Sequence, residues 1–88
     1  MKEINSRWFI YIVKCKDGSL YTGSTTDLQR RVETHNTGKG AKYTRSHAPV
    51  KLVYSERLLD RSAAFKREAA IKKLPRDQKM LLIATYSA

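Results

Sequence analysis

Residues 7–24, RWFIYIVKCKDGSLYTGS, carry two β-rich runs broken at Lys16-Asp17-Gly18. Such a pattern predicts a hairpin, and the length of its loop decides which side chains share a face. A two-residue loop of Asp17-Gly18 sets Lys14 opposite Tyr21 and parts the two tyrosines. A three-residue loop with a left-handed Gly18 sets Val13 opposite Tyr21 and Tyr11 opposite Gly23. The second register is preferred because it leaves one cleanly apolar face of Ile10, Ile12 and Leu20. Tyr11, Val13, Tyr21 and Gly23 then share the other.

Thr26 and Gln29 have capping-box spacing, which predicts a helix from near Asp27 to Asn36–Gly38. From Thr37 to Pro49 no apolar period exists, and Gly38, Gly40 and Pro49 mark a long loop of the kind that often carries function in small domains. VKLVYSERLL, residues 50–59, predicts a third strand. Asp60 caps a helix across residues 61–74, which Pro75 ends. Residues 75–86 predict a last helix with Pro75 in its first turn, although LLIATY also suits a strand. The order β-β-α-β-α-α predicts an α+β fold: a small three-stranded antiparallel sheet packed by about three helices. A chain of 88 residues has room for a single domain, with its core expected over about residues 8–84.

Charge adds a class of partner to this outline. Eighteen Lys and Arg against eight Asp and Glu give a net charge of +10, which favours polyanions and gains free energy from counterion release on nucleic acid. No basic amphipathic helix with a Trp/Phe/Leu face speaks for a membrane surface, and no apolar run approaches a bilayer span. The single Cys15 excludes an internal disulfide framework, and with only two histidines structural zinc is not expected. MKEINSRWFIYIV does not read as a signal peptide, so the expectation is an intact cytoplasmic chain.

Several residues stand where packing alone would not place them. On the first predicted helix, Leu28, Arg31, Val32 and His35 share one face, while Arg30 lies outside it. Arg31 and His35 therefore border the buried stripe, where the plain alternatives are a snorkelling arginine and a histidine capping the last carbonyls. On the next helix Ala64 and Ile71 bracket Glu68. A carboxylate there needs a cation, hydrogen bonds or solvent, and an ion pair with a neighbouring Lys or Arg is the plain alternative to a metal or catalytic role. Gly23 in the strand suggests close approach by a backbone or a ligand. Tyr54 reads as structural.

Taken together, FIYIV at residues 9–13, YTG at residues 21–23, LQRRVETHN at residues 28–36 and the glutamate of FKRE resemble the GIY-YIG (URI) nuclease domain. The resemblance runs from about Trp8 to the final helix and is to the small stand-alone members, similar to the catalytic domains of the DNA excinuclease and of structure-specific resolvases. It implies Tyr11 as the general base acting on water, Tyr21 as its hydrogen-bonding companion, Arg31 as the holder of the scissile phosphate, and His35 as the His-or-Tyr position one turn later. It also implies Glu68 as the sole carboxylate ligand of one Mg²⁺ or Mn²⁺ ion. The first triplet, Phe9-Ile10-Tyr11, lacks the family's glycine. An asparagine that some relatives carry after the metal glutamate is also absent, its nearest position being near Met80.

The resemblance implies a metal-dependent endonuclease hydrolysing phosphodiester bonds of DNA, structure-selective and serving repair or recombination, with RNA not excluded and a protein partner for targeting. The guanidinium of Arg31 suits two phosphate oxygens, and one carboxylate suffices for an ion that keeps its waters. A free phenol titrates near 10, so Arg31, the metal and the positive field are expected to lower Tyr11, with His35 taking the proton directly or through it. In the loop, Lys39, Lys42, Arg45 and His47 around Tyr43 suit phosphate contacts and a stacking ring. The alternative functions are a nucleic-acid-binding module of the same fold with little or no catalysis, and a structural adaptor for an acidic protein.

Overall fold

A computed structural model describes residues 7–38 and 47–86. The elements are β1 (Trp8–Lys14), β2 (Leu20–Thr25), α1 (Leu28–Asn36), β3 (Lys51–Leu58), α2 (Arg61–Lys72) and α3 (Arg76–Thr85). The three strands form one antiparallel sheet in the order β2-β1-β3, so the most apolar strand lies in the middle.

The hairpin takes the expected register, with Tyr11 opposite Gly23 and Val13 opposite Tyr21. The turn explains it. Cys15 and Ser19 close the loop through the Cys15 amide and Ser19 carbonyl at 2.8 Å, while Gly18 adopts φ +89°, a left-handed conformation that costs glycine nothing. Asp17 accepts from both the amide and the hydroxyl of Ser19, at 3.0 and 2.6 Å, and fixes the turn from outside.

The alternation of β1 therefore divides the core. Ile10 and Ile12 pack with Tyr54, Ala64 and Ile71, covered by α2 and by Leu82 and Ile83 of α3. Tyr11 and Val13 pack with Cys15 and Val50 under Leu28 and Val32 of α1. Between β1 and β3 the register shifts, Ile12 facing Tyr54 and Val13 facing Leu52. This bulge at Val53 places Val53 and Tyr54 together in the isoleucine cluster. Residues 81–85 of LLIATY are helical, not extended, because Leu82 and Ile83 supply the inward stripe of α3.

The helix ends differ slightly from expectation. Asp27, rather than Thr26, caps α1, its carboxylate accepting from the Arg30 amide at 3.1 Å. Asp60 caps α2 through the Ala63 amide at 2.8 Å as expected, but α2 stops at Lys72, and Pro75 is the cap residue of α3. At the end of α1 the Asn36 side chain donates to the Val50 carbonyl at 3.1 Å and accepts from the Val50 amide at 2.6 Å. That reciprocal pair, which imitates a strand contact, ties α1 to the start of β3 beneath the Tyr11 face.

Candidate functional site

Tyr11 projects from the central strand toward α1, where helix periodicity places Arg31 and His35 one turn apart. Its hydroxyl lies 2.9 Å from His35 Nε2 and accepts from Arg31 Nε at 3.2 Å. Arg31 can only donate, while the sense of the bond to His35 follows the imidazole tautomer: with Nδ1 protonated the phenol donates to Nε2, and with Nε2 protonated the phenol oxygen accepts from it. His35 is fully buried and Tyr11 almost so. Tyr21 packs edge-on against the same imidazole, with ring centroids 5.4 Å apart. Both phenol rings thus meet one histidine on one face of the sheet.

Gly23 has a specific reason to lack a side chain. A Cβ there would lie 2.5 Å from the Tyr11 hydroxyl oxygen and 2.7 Å from its Cζ. The space that the sequence suggested for a backbone or ligand is taken by the Tyr11 ring, though Gly23 also borders the open site.

That site is a hollow of about 470 Å³ at the β2 side of the sheet, where α2 lies against both β1 and β2. Tyr11, Tyr21, Gly23, Arg31 and Glu68 all line it. Five of the eleven candidate residues named from the sequence therefore converge there. His35 stands directly behind, reached through Tyr11. Lys39, Lys42, Tyr43 and Arg45 lie outside the described residues. His47 is placed elsewhere: its Nε2 sits 3.5 Å from Asp17, and its carbonyl accepts from the Lys16 amide, so it braces the hairpin turn. Ser24, Phe65, Ala69 and Lys72 also line the hollow, and the sequence pattern singled out none of them. Phe65 had one usable signal. It lies three residues before Glu68 on the same helix and is 46 % exposed, an aromatic ring left at the lip of the hollow.

The protein groups alone do not lower the Tyr11 phenol. Arg31 does pull the Tyr11 phenol down, but burial outweighs it and the phenol rises above its ordinary range. A buried phenolate would be costly, and one guanidinium at 3.2 Å compensates only part of that cost. His35 moves the opposite way for the same reason. Burial, then the Arg31 charge, hold it below the usual imidazole value and keep it neutral. Arg31 is held more firmly protonated by its bond to Tyr11.

Glu68 shows that the plain ion pair and an open site coexist. Its Oε2 lies 2.7 Å from Lys72 Nζ one turn later, with the carboxylate side chain 20 % exposed and the lysine 51 % exposed. Among the described residues no group of three or more His, Cys, Asp and Glu comes together. A divalent ion here would have one protein carboxylate and water for the rest, which Mg²⁺ and Mn²⁺ accept. The carboxylate already attracts a cation at this oxygen, so the donor chemistry fits. Among the described residues no helix is long and apolar enough to cross a membrane.

Comparison with known proteins bears on the family and the fold. The family model described as the GIY-YIG catalytic domain matches residues 7–80. The chain is 53 % identical over 78 residues to UPF0213 protein SH2523 of Staphylococcus haemolyticus, covering 89 % of this chain and 95 % of that protein. It is 57 % identical over 77 residues to UPF0213 protein DP2720 of Desulfotalea psychrophila, covering 86 % of this chain and 70 % of that one. Among solved structures it is similar to the UPF0213 protein BH0048 from Bacillus halodurans, a solution NMR structure, at 44 % identity and a TM-score of 0.57. That match covers 88 % of this chain and 82 % of the other. The protein EF2693 from E. faecalis gives 47 % identity, a TM-score of 0.58 and the same two coverages.

Proposed function

The chain belongs to the GIY-YIG catalytic domain family, a nuclease family, and from that membership we propose a divalent-metal-dependent endonuclease that hydrolyses DNA phosphodiester bonds, selecting structure over sequence, in repair or recombination. The observation that carries this reading is the shared hydroxyl of Tyr11. It joins Arg31 and His35 on the wall of the same hollow that Glu68 lines.

In this reading Arg31 binds the scissile phosphate with the guanidinium donors that Tyr11 does not use. Water attacks the phosphorus as the bond to the 3′ oxygen breaks, giving its proton to the Tyr11 oxygen while the Tyr11 proton passes to His35 Nε2; the 3′ oxygen leaves with the bonding pair and takes a proton from solvent. No free phenolate forms in this relay, and the neutral imidazole has a vacant nitrogen for the proton, although burial and Arg31 make the resulting imidazolium short-lived. A Mg²⁺ or Mn²⁺ ion held by Glu68 would supply Lewis acidity at the phosphate and the departing 3′ oxygen. Tyr21 fixes the imidazole ring from its edge. The charge of +10 supports binding to the polyanion and favours steering over base readout.

The test is incubation with flaps, forks, junctions and single strands in Mn²⁺ or EDTA, beside Glu68→Ala. Metal-dependent products that vanish in the variant are expected. A wild-type protein that binds with steep salt dependence yet yields no product on any substrate overturns the enzyme and leaves a binding module.

A further inference from the structure

The hollow holds a second cation that the proposed chemistry does not use. Arg31 reaches it from α1 and is fixed by Tyr11, whereas Lys72 reaches it from α2 on a flexible stem and is half exposed. Its ammonium sits at 2.7 Å on Oε2 of Glu68, the one carboxylate among the described residues that borders the hollow.

We propose that Lys72 is a mobile phosphate-binding residue, parked on Glu68 in the free protein and transferred to a backbone phosphate of the substrate when a divalent ion takes the carboxylate. The proposal rests on the nuclease reading. A divalent ion bonds carboxylate oxygen at about 2.0–2.1 Å and carries twice the ammonium's charge, so both cannot remain at contact distance on Oε2 without strong repulsion. The lysine is the one that leaves, because its side chain is long, rotatable and solvent-facing. Its tether keeps it at the rim, where the nearest anion is then the phosphate backbone.

The exchange couples two ligands. Metal entering the free protein must first separate an ion pair, which weakens its binding. With nucleic acid present the displaced ammonium gains a new partner, so each ligand raises the affinity for the other by the same factor. Metal is thereby favoured where substrate is in place. A fixed arginine at position 72 would hold the carboxylate in a bidentate fork and resist this exchange.

The test uses Lys72→Met, with Lys66→Met as a charge-matched control on an exposed, more distant position of the same helix, and Glu68→Gln. Mn²⁺ binding to free protein is measured by calorimetry, and binding of a labelled single-stranded DNA oligomer by anisotropy with and without Ca²⁺. Lys72→Met is expected to tighten Mn²⁺ roughly two- to five-fold, the range a solvent-facing ion pair can exert, and to weaken DNA binding. The gain in DNA affinity on adding Ca²⁺ should shrink, and Lys66→Met should do markedly less to Mn²⁺. Equal effects of Lys72→Met and Lys66→Met, with Mn²⁺ binding lost in Glu68→Gln, overturn the role of Lys72 alone. Mn²⁺ binding that survives Glu68→Gln overturns the metal reading as well.

Discussion

Two adjacent strands each end a tyrosine in a cluster with an arginine, and the clusters differ in what they leave open. On β3, Tyr54 donates to Glu56, and Arg67 grips the same carboxylate with Nε and a terminal nitrogen at 2.9 and 2.8 Å. Charges there cancel. On β1, the Tyr11 hydroxyl shares a hydrogen bond with a neutral imidazole and receives from Arg31, whose guanidinium makes no other hydrogen bond among the described residues. That cluster keeps a net positive charge, unused donors and a wall on the hollow. Similar residue types thus make a strut in one place and a site in the other. The difference lies in saturation: a satisfied network holds the fold, and an unsatisfied one at an open surface awaits a ligand.

The sharpest way to break this comparison is to remove each arginine. Arg31→Met is expected to cut cleavage by on the order of 10²–10³ while leaving thermal stability nearly unchanged. Arg67→Met should reverse the pattern. Solvent screens the Arg67–Glu56 pair, so its loss should cost about 1 kcal/mol, a fall in Tm of about 4–8 °C, with cleavage near that of wild type. An Arg67 variant that loses cleavage at full stability would erase the distinction.

Gly23→Ala probes the site through packing. The added methyl meets the Tyr11 ring, and shifting that ring should cost about 1–3 kcal/mol and separate the phenol from Arg31 and His35. Cleavage should fall more than stability accounts for, as measured on folded protein below the melting range.

The smallest effect is in pH. Burial depresses His35 below about 6.5, so the unfolded chain takes up a proton there before the folded one does. Stability is therefore fully present above that value and declines as pH falls toward the folded pKa of His35. Arg67 likewise depresses Glu56, whose contribution is present above the usual carboxylate range and is lost only at lower pH. Melting curves should show two limbs on acidification. His35→Asn should flatten the upper limb and Arg67→Met the lower.

Much of this is legible in the residues themselves, for local reasons. Gly18 after Lys16-Asp17 determines the hairpin register, and the register puts Tyr11 across from Gly23. Helix spacing puts Arg31 and His35 on one face with Val32. What stays hidden depends on how elements pack. The angle of α2 against β2 decides that Phe65 and Lys72 border the hollow, and no periodicity reports it. With eighteen Lys and Arg available, sequence does not say which one pairs with Glu68. The rise of the Tyr11 phenol escapes a reading of the residues because Arg31 is visible there and the depth of burial is not. The closed cluster around Tyr54 supports its structural reading, but the Glu56–Arg67 clamp needs β3 and α2 side by side.

The central claim is that Tyr11, and not its counterpart Tyr54, passes the water proton to His35. Single-turnover cleavage in Mn²⁺ across pH, for Tyr11→Phe and Tyr54→Phe, tests it most directly. Wild type is predicted to speed up with pH as His35 deprotonates; Tyr11→Phe is predicted to be slower by about 10²–10⁴ and to lack that rise, while Tyr54→Phe matches wild type. A Tyr11→Phe enzyme with wild-type rate and pH profile contradicts it.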